Sequence, residues 1–90
     1  MDNVAIGEAG FEKPQDCRII VRMKDEDGLN ITLHSKQEKM FGSAIRESVV
    51  EEAERLGVKN ADIEVFDYSS LDFVIRARMK TAVKRAESQR

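Results

Sequence analysis

The chain has 90 residues, enough for one small domain but too few for a deep catalytic cleft between two lobes. A hydrophobic fraction of 41% is sufficient for a folded core, which excludes an intrinsically disordered chain. The formal net charge of −2 and the aromatic fraction of 6% argue against nucleic-acid binding, which usually requires a basic face and stacking aromatics.

The N-terminal segment, residues 1–15, contains two glycines and the only proline and shows no sustained hydrophobic periodicity. This predicts a mobile arm, followed by a single domain over residues 16–90. No secretory signal is visible at the start of the sequence, and no apolar run approaches the ~20 residues that cross a bilayer. We therefore expect a cytoplasmic protein that does not bind membranes.

Two alternating apolar runs follow the arm. Apolar residues recur at every second position over 17–24 and again over 29–34, with mainly polar residues between them, as in strands with one buried face. The polar segment 25–28 between them, which ends in glycine, predicts a turn and hence a β-hairpin. The lone cysteine, Cys17, lies in the first run, where we expect a buried thiol that packs as a small hydrophobe.

A helix is predicted for the middle of the chain. Ser35 and Glu38 have the spacing of a capping box at its start, and apolar residues then recur every three or four positions through Leu56. Gly57 follows directly, where a glycine is favoured after a helix. Gly42 lies inside this helix, and its cost there predicts close packing against a strand or a partner's backbone.

Two further strands are predicted after the helix. The first contains Ile63 and Val65. The second covers residues 71–78, which fit a helix less cleanly than a strand because Phe, Val and Ile favour strands. From Met79 onward the composition predicts a helix. The expected fold is an α+β two-layer domain, a ββαββ sheet packed on the central helix, with a C-terminal helix and the mobile N-terminal arm.

No catalytic or metal site is apparent in the sequence. Cys17 and His34 lie on different predicted strands, which disfavours a zinc site, and nothing arranges the serines around His34 for nucleophilic catalysis. Asp72, Arg76 and Arg78 lie in a charged stretch near the C-terminus and predict contact with a partner, although these cations also fit a solvated face. The residues therefore indicate a small binding or carrier module without catalytic activity of its own.

Three motifs occur along the chain in a characteristic order: Ala9-Gly10, Phe41-Gly42-x-x-Ile45 and the stretch 71–78, Leu-Asp-Phe-Val-Ile-Arg-Ala-Arg. In this order they resemble the acyl carrier (gamma) subunits of bacterial citrate lyases. The resemblance implies a phosphoribosyl-dephospho-coenzyme A group on a serine of the N-terminal arm, where acetyl and citryl groups are held as thioesters. It also implies large alpha and beta subunits as partners, together with the transferase that attaches the group.

Pro14 stands at the position where the resemblance places the serine that carries this group. Proline has no hydroxyl, and no Ser or Thr occurs over residues 1–16. Three explanations stay open: a paralogue without the group, an altered sequence, or attachment elsewhere, for which Thr32 and Ser35 are the next hydroxyls. The sequence thus predicts a citrate-lyase-type acyl carrier subunit that lacks the attachment hydroxyl, or alternatively a non-carrier structural or regulatory interaction module of the same fold.

Overall fold

The computed structural model describes residues 4–90 and shows an α+β domain with the following elements: β1 (Ile6–Gly10), β2 (Cys17–Met23), β3 (Leu29–Ser35), α1 (Glu38–Arg55), β4 (Ala61–Asp67) and α2 (Asp72–Glu87). The strands form one sheet in the order β1-β2-β4-β3. β2 is antiparallel to β1 and to β4, whereas β3 is parallel to β4 because α1 connects them as a crossover. The predicted α+β class, with a sheet and a C-terminal helix, is confirmed.

Both helices cover the same face of the sheet. The cross-strand partners Ala9, Ile19, Val65 and Leu33 form a buried row across all strands on that face. Side chains on the other face are exposed or half-buried, as expected when one side of a sheet meets water. The core therefore lies between one sheet and one layer of two helices.

The first of these helices, α1, is present as predicted, but its N-terminus differs from the capping box. The N-cap residue is Gln37, which makes no side-chain capping bond. Ser35 Oγ instead accepts a hydrogen bond from the Gln37 backbone N–H at 3.1 Å, and Glu38 pairs with Arg46 at 3.2 Å. Gly57 follows the helix with φ of 77°, as the sequence predicted.

The glycine that packs closely against the backbone of a helix is Gly7 and not Gly42. A Cβ atom on Gly42 would lie 3.0 Å from the flexible Glu38 side chain and 3.8 Å from Leu33, with no backbone nearby. A Cβ atom on Gly7 would lie only 2.1 Å from the Ala82 carbonyl oxygen. Strand β1 therefore runs directly against the backbone of α2.

The prediction of a mobile arm over residues 1–15 needs correction, because Ile6–Gly10 form strand β1. Residues 1–3 lie outside the described residues. The buried positions along this segment are small: Gly7 and Ala9 within the strand, and Ala5 just before it. Such residues give a weak hydrophobic signal, yet they are what permits α2 to approach so closely.

The predicted hairpin between the strands at 17–24 and 29–34 is also wrong, because β4 lies between β2 and β3. The turn between them is instead tied to the start of β4. Asn60 Oδ1 accepts a hydrogen bond from the Gly28 N–H at 2.8 Å, and the Gly28 carbonyl accepts one from the Ala61 N–H at 3.0 Å. The long crossover through α1 thus brings β4 into the gap between the two strands.

Residues 71–78, predicted as a strand, belong instead to the start of helix α2. The alternation that favoured a strand is not reflected in burial, since Leu71 and Phe73 are exposed. The buried positions follow helical spacing and continue past the predicted strand: Ile75, Met79, Ala82, Val83 and Ala86.

Three loops lie together at one end of the molecule, which we call the loop pole. It comprises the β1–β2 loop (residues 11–16), the β3–α1 turn (36–37), the β4–α2 turn (68–71) and the first turns of both helices. The register places Cys17 opposite Asp67, and Asp67 opposite Ser35, so these three chain segments leave the sheet together. Pro14 lies at this pole.

Candidate functional site

The β1–β2 loop presents Pro14 in an exposed tight turn. Phe11 N–H donates to the Cys17 carbonyl at 3.1 Å, and Asp16 N–H donates to the Lys13 carbonyl at 3.1 Å. Gln15 adopts φ of 64°, a left-handed conformation that closes the turn. The segment in which the sequence placed the attachment position is therefore hydrogen-bonded at its base and exposed at its tip.

Tyr68, from the β4–α2 turn, holds this loop against the rest of the domain. Its carbonyl accepts a hydrogen bond from the Gln15 N–H at 2.7 Å, and its N–H donates to the Asp16 carbonyl at 3.0 Å. The Tyr68 hydroxyl donates to Glu12 Oε1 at 2.7 Å. This bond, together with those from Arg18, lowers the pKa of Glu12.

Arg78 clamps the end of the loop through Asp16. Its Nε and Nη2 atoms donate to the two Asp16 carboxylate oxygens at 3.1 and 2.8 Å, a bidentate ion pair. The Asp16 side chain is only 8% exposed, which shields the pair from water. The hydrogen bonds from Arg78 hold the pKa of Asp16 below its usual range, despite the opposing effect of burial.

Arg76, in α2, connects the two helices through ion pairs. Its Nη2 atom donates to Glu51 Oε1 and its Nε atom to Asp72 Oδ2, each at 2.7 Å, and these bonds raise the pKa of Arg76. Asp72 also accepts a hydrogen bond from the Ser48 hydroxyl, which is the main reason that the pKa of Asp72 is lowered. Glu52 Oε1 is buried without a hydrogen-bond partner among the described residues and lies 3.6 Å from Arg76 Nη1.

The three residues predicted as partner contacts thus occupy two separate internal networks. Asp72 and Arg76 join α2 to α1, whereas Arg78 joins α2 to the β1–β2 loop. Both arginine side chains remain about one-third exposed. Contact with a partner stays a prediction for them, and their evident role in the isolated chain is to hold the loop pole together.

Two adjoining grooves open at the loop pole. One, of about 430 Å³, runs beside Pro14 between Lys36 and Tyr68. The other, of about 360 Å³, lies between the two helices and is lined mainly by apolar atoms, including those of Phe41 and Leu71. Gln37, Asp67 and Ser69 line both grooves, so the groove beside Pro14 continues into the one between the helices.

Asp67 organises the floor of these grooves, although it was not among the site residues predicted from the sequence. Its buried carboxylate accepts hydrogen bonds from the Ser35 and Ser70 hydroxyls and from the N–H groups of Ser69 and Ser70. The sequence does hold a signal for this, because an aspartate before two serines at a helix start is typical of an Asx-turn.

The hydroxyls around Pro14 do not fit the prosthetic group that the family resemblance implied for this position. Pro14 itself has none. The Ser35 hydroxyl is hydrogen-bonded to Asp67 and Gln37, and the Tyr68 hydroxyl to Glu12. Ser69 is an exposed hydroxyl-bearing residue of the same groove, but it belongs to the β4–α2 turn and not to the β1–β2 loop.

His34 lies on the open face of the sheet and lines the groove beside Pro14 with Ser35 and Ser69, but among the described residues it makes no hydrogen bond to either serine, as a catalytic triad would require. Its ring stacks on Phe66 with centroids 4.6 Å apart, and its Nε2 atom lies 2.8 Å from Glu64 Oε2. Within residues 4–90, no three side chains of metal-binding type come together. No helix in that range is both long and apolar enough to cross a membrane.

Comparison with known proteins gives concordant matches over most of the chain. A family model described as "ACP: Malonate decarboxylase delta subunit (MdcD)" matches residues 6–86. The citrate lyase acyl carrier protein of Streptococcus mutans is 40% identical over 86 residues, which are 96% of this chain and 84% of that protein. The citrate lyase acyl carrier protein of Fusobacterium nucleatum is 36% identical over 81 residues, 90% of this chain and 86% of that protein.

The small two-layer domain, with an exposed loop at one pole, is thereby placed in the class of acyl carrier proteins. The chain belongs to the family that contains the malonate decarboxylase delta subunits and the citrate lyase acyl carrier proteins. The family resemblance predicted from the sequence is confirmed.

Proposed function

We propose that the chain is a non-catalytic, citrate-lyase-type acyl carrier subunit that acts in the cytoplasm. It docks on large alpha and beta type subunits, as its relatives' names suggest for a lyase complex. The observation that carries this proposal is the agreement between the family match over residues 6–86 and the loop at the pole. That loop places position 14 in the open, where a large partner can reach it.

The structure gives no reason to expect the prosthetic group at position 14. A phosphate ester requires a hydroxyl, and Pro14 has none. We infer that this chain keeps the shape and the docking function of a carrier subunit without loading at that residue. A non-carrier structural or regulatory interaction module is the second candidate, and the same proline favours it.

Mass spectrometry of the intact protein tests loading. The chain is coexpressed with a cognate transferase, next to Pro14→Ser and to the Streptococcus mutans carrier as a positive control. We expect the native chain to keep its unmodified mass and Pro14→Ser to gain the group. A native chain that gains the group contradicts the inference, and peptide mapping then identifies the residue, with Ser69 the first to inspect.

Binding to the large subunits separates the two candidate functions. Purified alpha and beta type subunits from the same genome are titrated with the native chain at low and at physiological salt. A stable, stoichiometric complex supports the carrier-subunit proposal. No complex at either salt concentration supports the independent interaction module instead.

The predicted contacts of Asp72, Arg76 and Arg78 can be tested in the same binding assay. Arg76→Gln removes the cation while Glu51 and Asp72 stay in place, and Arg55→Gln removes an exposed cation from α1 as the control. Weaker binding of Arg76→Gln alone, with unchanged thermal stability, supports a direct contact. Equal binding of both variants shows that Arg76 acts only within the domain.

A further inference from the structure

We propose that the loop pole is the docking surface of this chain, and that the matching surface of the large subunit has an apolar centre and an acidic rim. The identity of the partner rests on the proposed function. The location and chemistry of the surface rest on the exposure, charge and shape of the loop pole.

Exposed apolar side chains concentrate at this pole. Among the described residues, six of the seven large hydrophobics that are exposed lie there, and the exception is Val4. The six are Phe11, Met40, Phe41, Tyr68, Leu71 and Phe73. Their clustering, rather than their exposure one by one, marks an interaction site.

The most exposed of these side chains add nothing to the core. Met40, Leu71 and Phe73 are 77%, 63% and 68% exposed, so each leaves most of its apolar surface in water. Leu71 occupies the N-cap position of α2, where a small polar residue would stabilise the helix better. An apolar residue at that position is better explained by contact with a partner than by folding.

Unpaired cations surround the apolar residues. Lys13, Lys36 and Lys39 are exposed and form no ion pair with any described residue. The Lys13 ammonium lies over the Phe11 ring, 5.0 Å from its centroid, which places a charge directly beside an exposed aromatic.

The acids of the pole do not cancel these charges, because each is paired or buried. Glu12 pairs with Arg18, Glu38 with Arg46, and the carboxylate of Asp67 is enclosed by serine hydrogen bonds. Asp72 pairs with Arg76 and Asp16 with Arg78. A chain of net charge −2 therefore presents free positive charge at this pole, which is complementary to an acidic surface.

The shape of the pole favours a protein over a lipid bilayer. Phe41 and Leu71 line a groove of about 360 Å³, and Tyr68 lines the connected groove of about 430 Å³. A groove accepts protruding side chains better than a flat bilayer does. The grooves end beside Pro14, so a partner seated there would enclose the β1–β2 loop.

Matched variants test this surface by isothermal titration against the purified large subunits. Lys36→Glu with Lys39→Glu reverses two rim charges, and Leu71→Ser with Phe73→Ser removes the apolar centre. We expect each double variant to raise Kd about tenfold or more. The charge variant should also show a weaker salt dependence than the native chain.

The control variants make the same kinds of substitution outside the loop pole. Lys59→Glu reverses an exposed charge in the α1–β4 loop, and Val4→Ser removes the exposed apolar residue outside the pole. Both should bind within about twofold of the native chain, since surface residues outside an interface contribute little. Circular dichroism of all variants identifies any loss of folding, and the charge variant alters only exposed side chains.

The outcomes separate this inference from the proposed function. If the native chain binds but both pole variants bind equally well, the docking surface lies elsewhere and the proposed function stands. If the native chain does not bind, both the proposed function and the docking-surface inference are wrong. Two further results overturn the protein-docking inference: native self-association that Leu71→Ser with Phe73→Ser abolishes, or binding to anionic phospholipid vesicles that Lys36→Glu with Lys39→Glu abolishes.

Discussion

The absence of a side chain at Gly7 is what permits strand β1 to pack against helix α2. Strand β1 approaches α2 so closely that a methyl group on Gly7 would overlap the Ala82 carbonyl oxygen and lie 2.3 Å from Ala86 N. Both are backbone atoms, which cannot rotate away as the end of a side chain can. Gly42 is buried in α1, but its nearest neighbour is the flexible Glu38 side chain.

We therefore predict opposite effects of the same substitution at these two glycines. Gly7→Ala should lower the free energy of unfolding by about 3 kcal/mol, because it overpacks a strand–helix contact. Gly42→Ala should raise it by up to about 1 kcal/mol, because alanine is the better helix former. Urea unfolding followed by circular dichroism measures both, and equal effects of the two would contradict the packing seen at Gly7.

Asp16 links the stability of the β1–β2 loop to pH. Its pKa is lowered by Arg78, so the ion pair stabilises the fold above the ordinary carboxyl pKa of about 3.9. This stabilisation is lost as the pH falls through the lowered pKa of the folded state, because the protonated carboxyl no longer pairs with the guanidinium.

Asp16→Asn should cost about 2 kcal/mol at pH 7, the range of a hydrogen bond to a charged group. The difference from the native chain should shrink below about pH 4, where Asp16 itself becomes neutral. Urea unfolding at a series of pH values measures this difference in the free energy of unfolding. Asp25→Asn, in an exposed turn, is the control and should stay within about 0.5 kcal/mol; a loss at Asp16 that does not depend on pH would rule out the ion pair as its source.

At the scale of secondary-structure elements, each helix provides an arginine that protects one edge of the sheet. The order β1-β2-β4-β3 leaves β1 and β3 at the edges. Arg85 Nη1, from α2, donates to the Glu8 carbonyl of β1 at 2.8 Å, and Arg46 Nη1, from α1, donates to the Ile31 carbonyl of β3 at 2.9 Å. Each helix thus covers a backbone acceptor that could otherwise pair with a strand of another molecule.

Removing both arginines should promote self-association. We expect Arg46→Ala with Arg85→Ala to shift the sedimentation distribution toward larger species than the native chain shows at the same concentration. Arg55→Ala with Lys84→Ala is the control, since it removes two exposed cations from the same helices without uncovering an edge carbonyl. An equal shift of both double variants would indicate that net charge, and not edge protection, governs association, and no shift in either would contradict edge protection.

The elements that local sequence defines well were predicted correctly, whereas those defined by long-range packing were not. The periodicity from Phe41 to Leu56 and the alternation around Ile63 are properties of short segments, so α1 and β4 could be recognised. Strand β1 depends on small residues that α2 covers, and the position of β4 in the sheet depends on the crossover through α1. Neither contact can be inferred from a window of ten residues.

In the candidate site, too, local features could be predicted from the sequence and long-range contacts could not. The mismatch at Pro14 was visible in the sequence because it concerns a residue type at one position. That Arg78 pairs with Asp16 was not visible, because the two are 62 positions apart and joined only by the fold. The sequence could therefore indicate that Arg76 and Arg78 matter without showing that each already has internal partners.

At the scale of the whole molecule, one core connects every element, and Cys17 belongs to it at the start of β2. Its side chain is completely buried, in agreement with the sequence prediction, and burial raises the pKa of the thiol to about 11. The surrounding cluster includes residues from all four strands and both helices. Access to this thiol should therefore require unfolding of the domain as a unit.

We expect Cys17 to react with a disulfide reagent at pH 8 only as the domain unfolds. The labelling rate should rise with urea in step with the loss of circular dichroism. Lys59→Cys in a Cys17→Ala background provides an exposed thiol that should react at once. Labelling of Cys17 at a rate independent of urea would reveal a local opening of the sheet next to the β1–β2 loop.

The contact between β1 and α2 has a consequence for how the protein is made. Ile6 N–H reaches Gln89 Oε1 at 3.2 Å although 83 positions separate the two residues. On the ribosome, strand β1 emerges well before the helix that covers it, so β2, β3, α1 and β4 must all be synthesised before Gly7 can meet Ala82. Until then the apolar face of β1 and β2, which α2 covers in the folded domain, stays exposed, and this is the interval in which a chaperone would bind it.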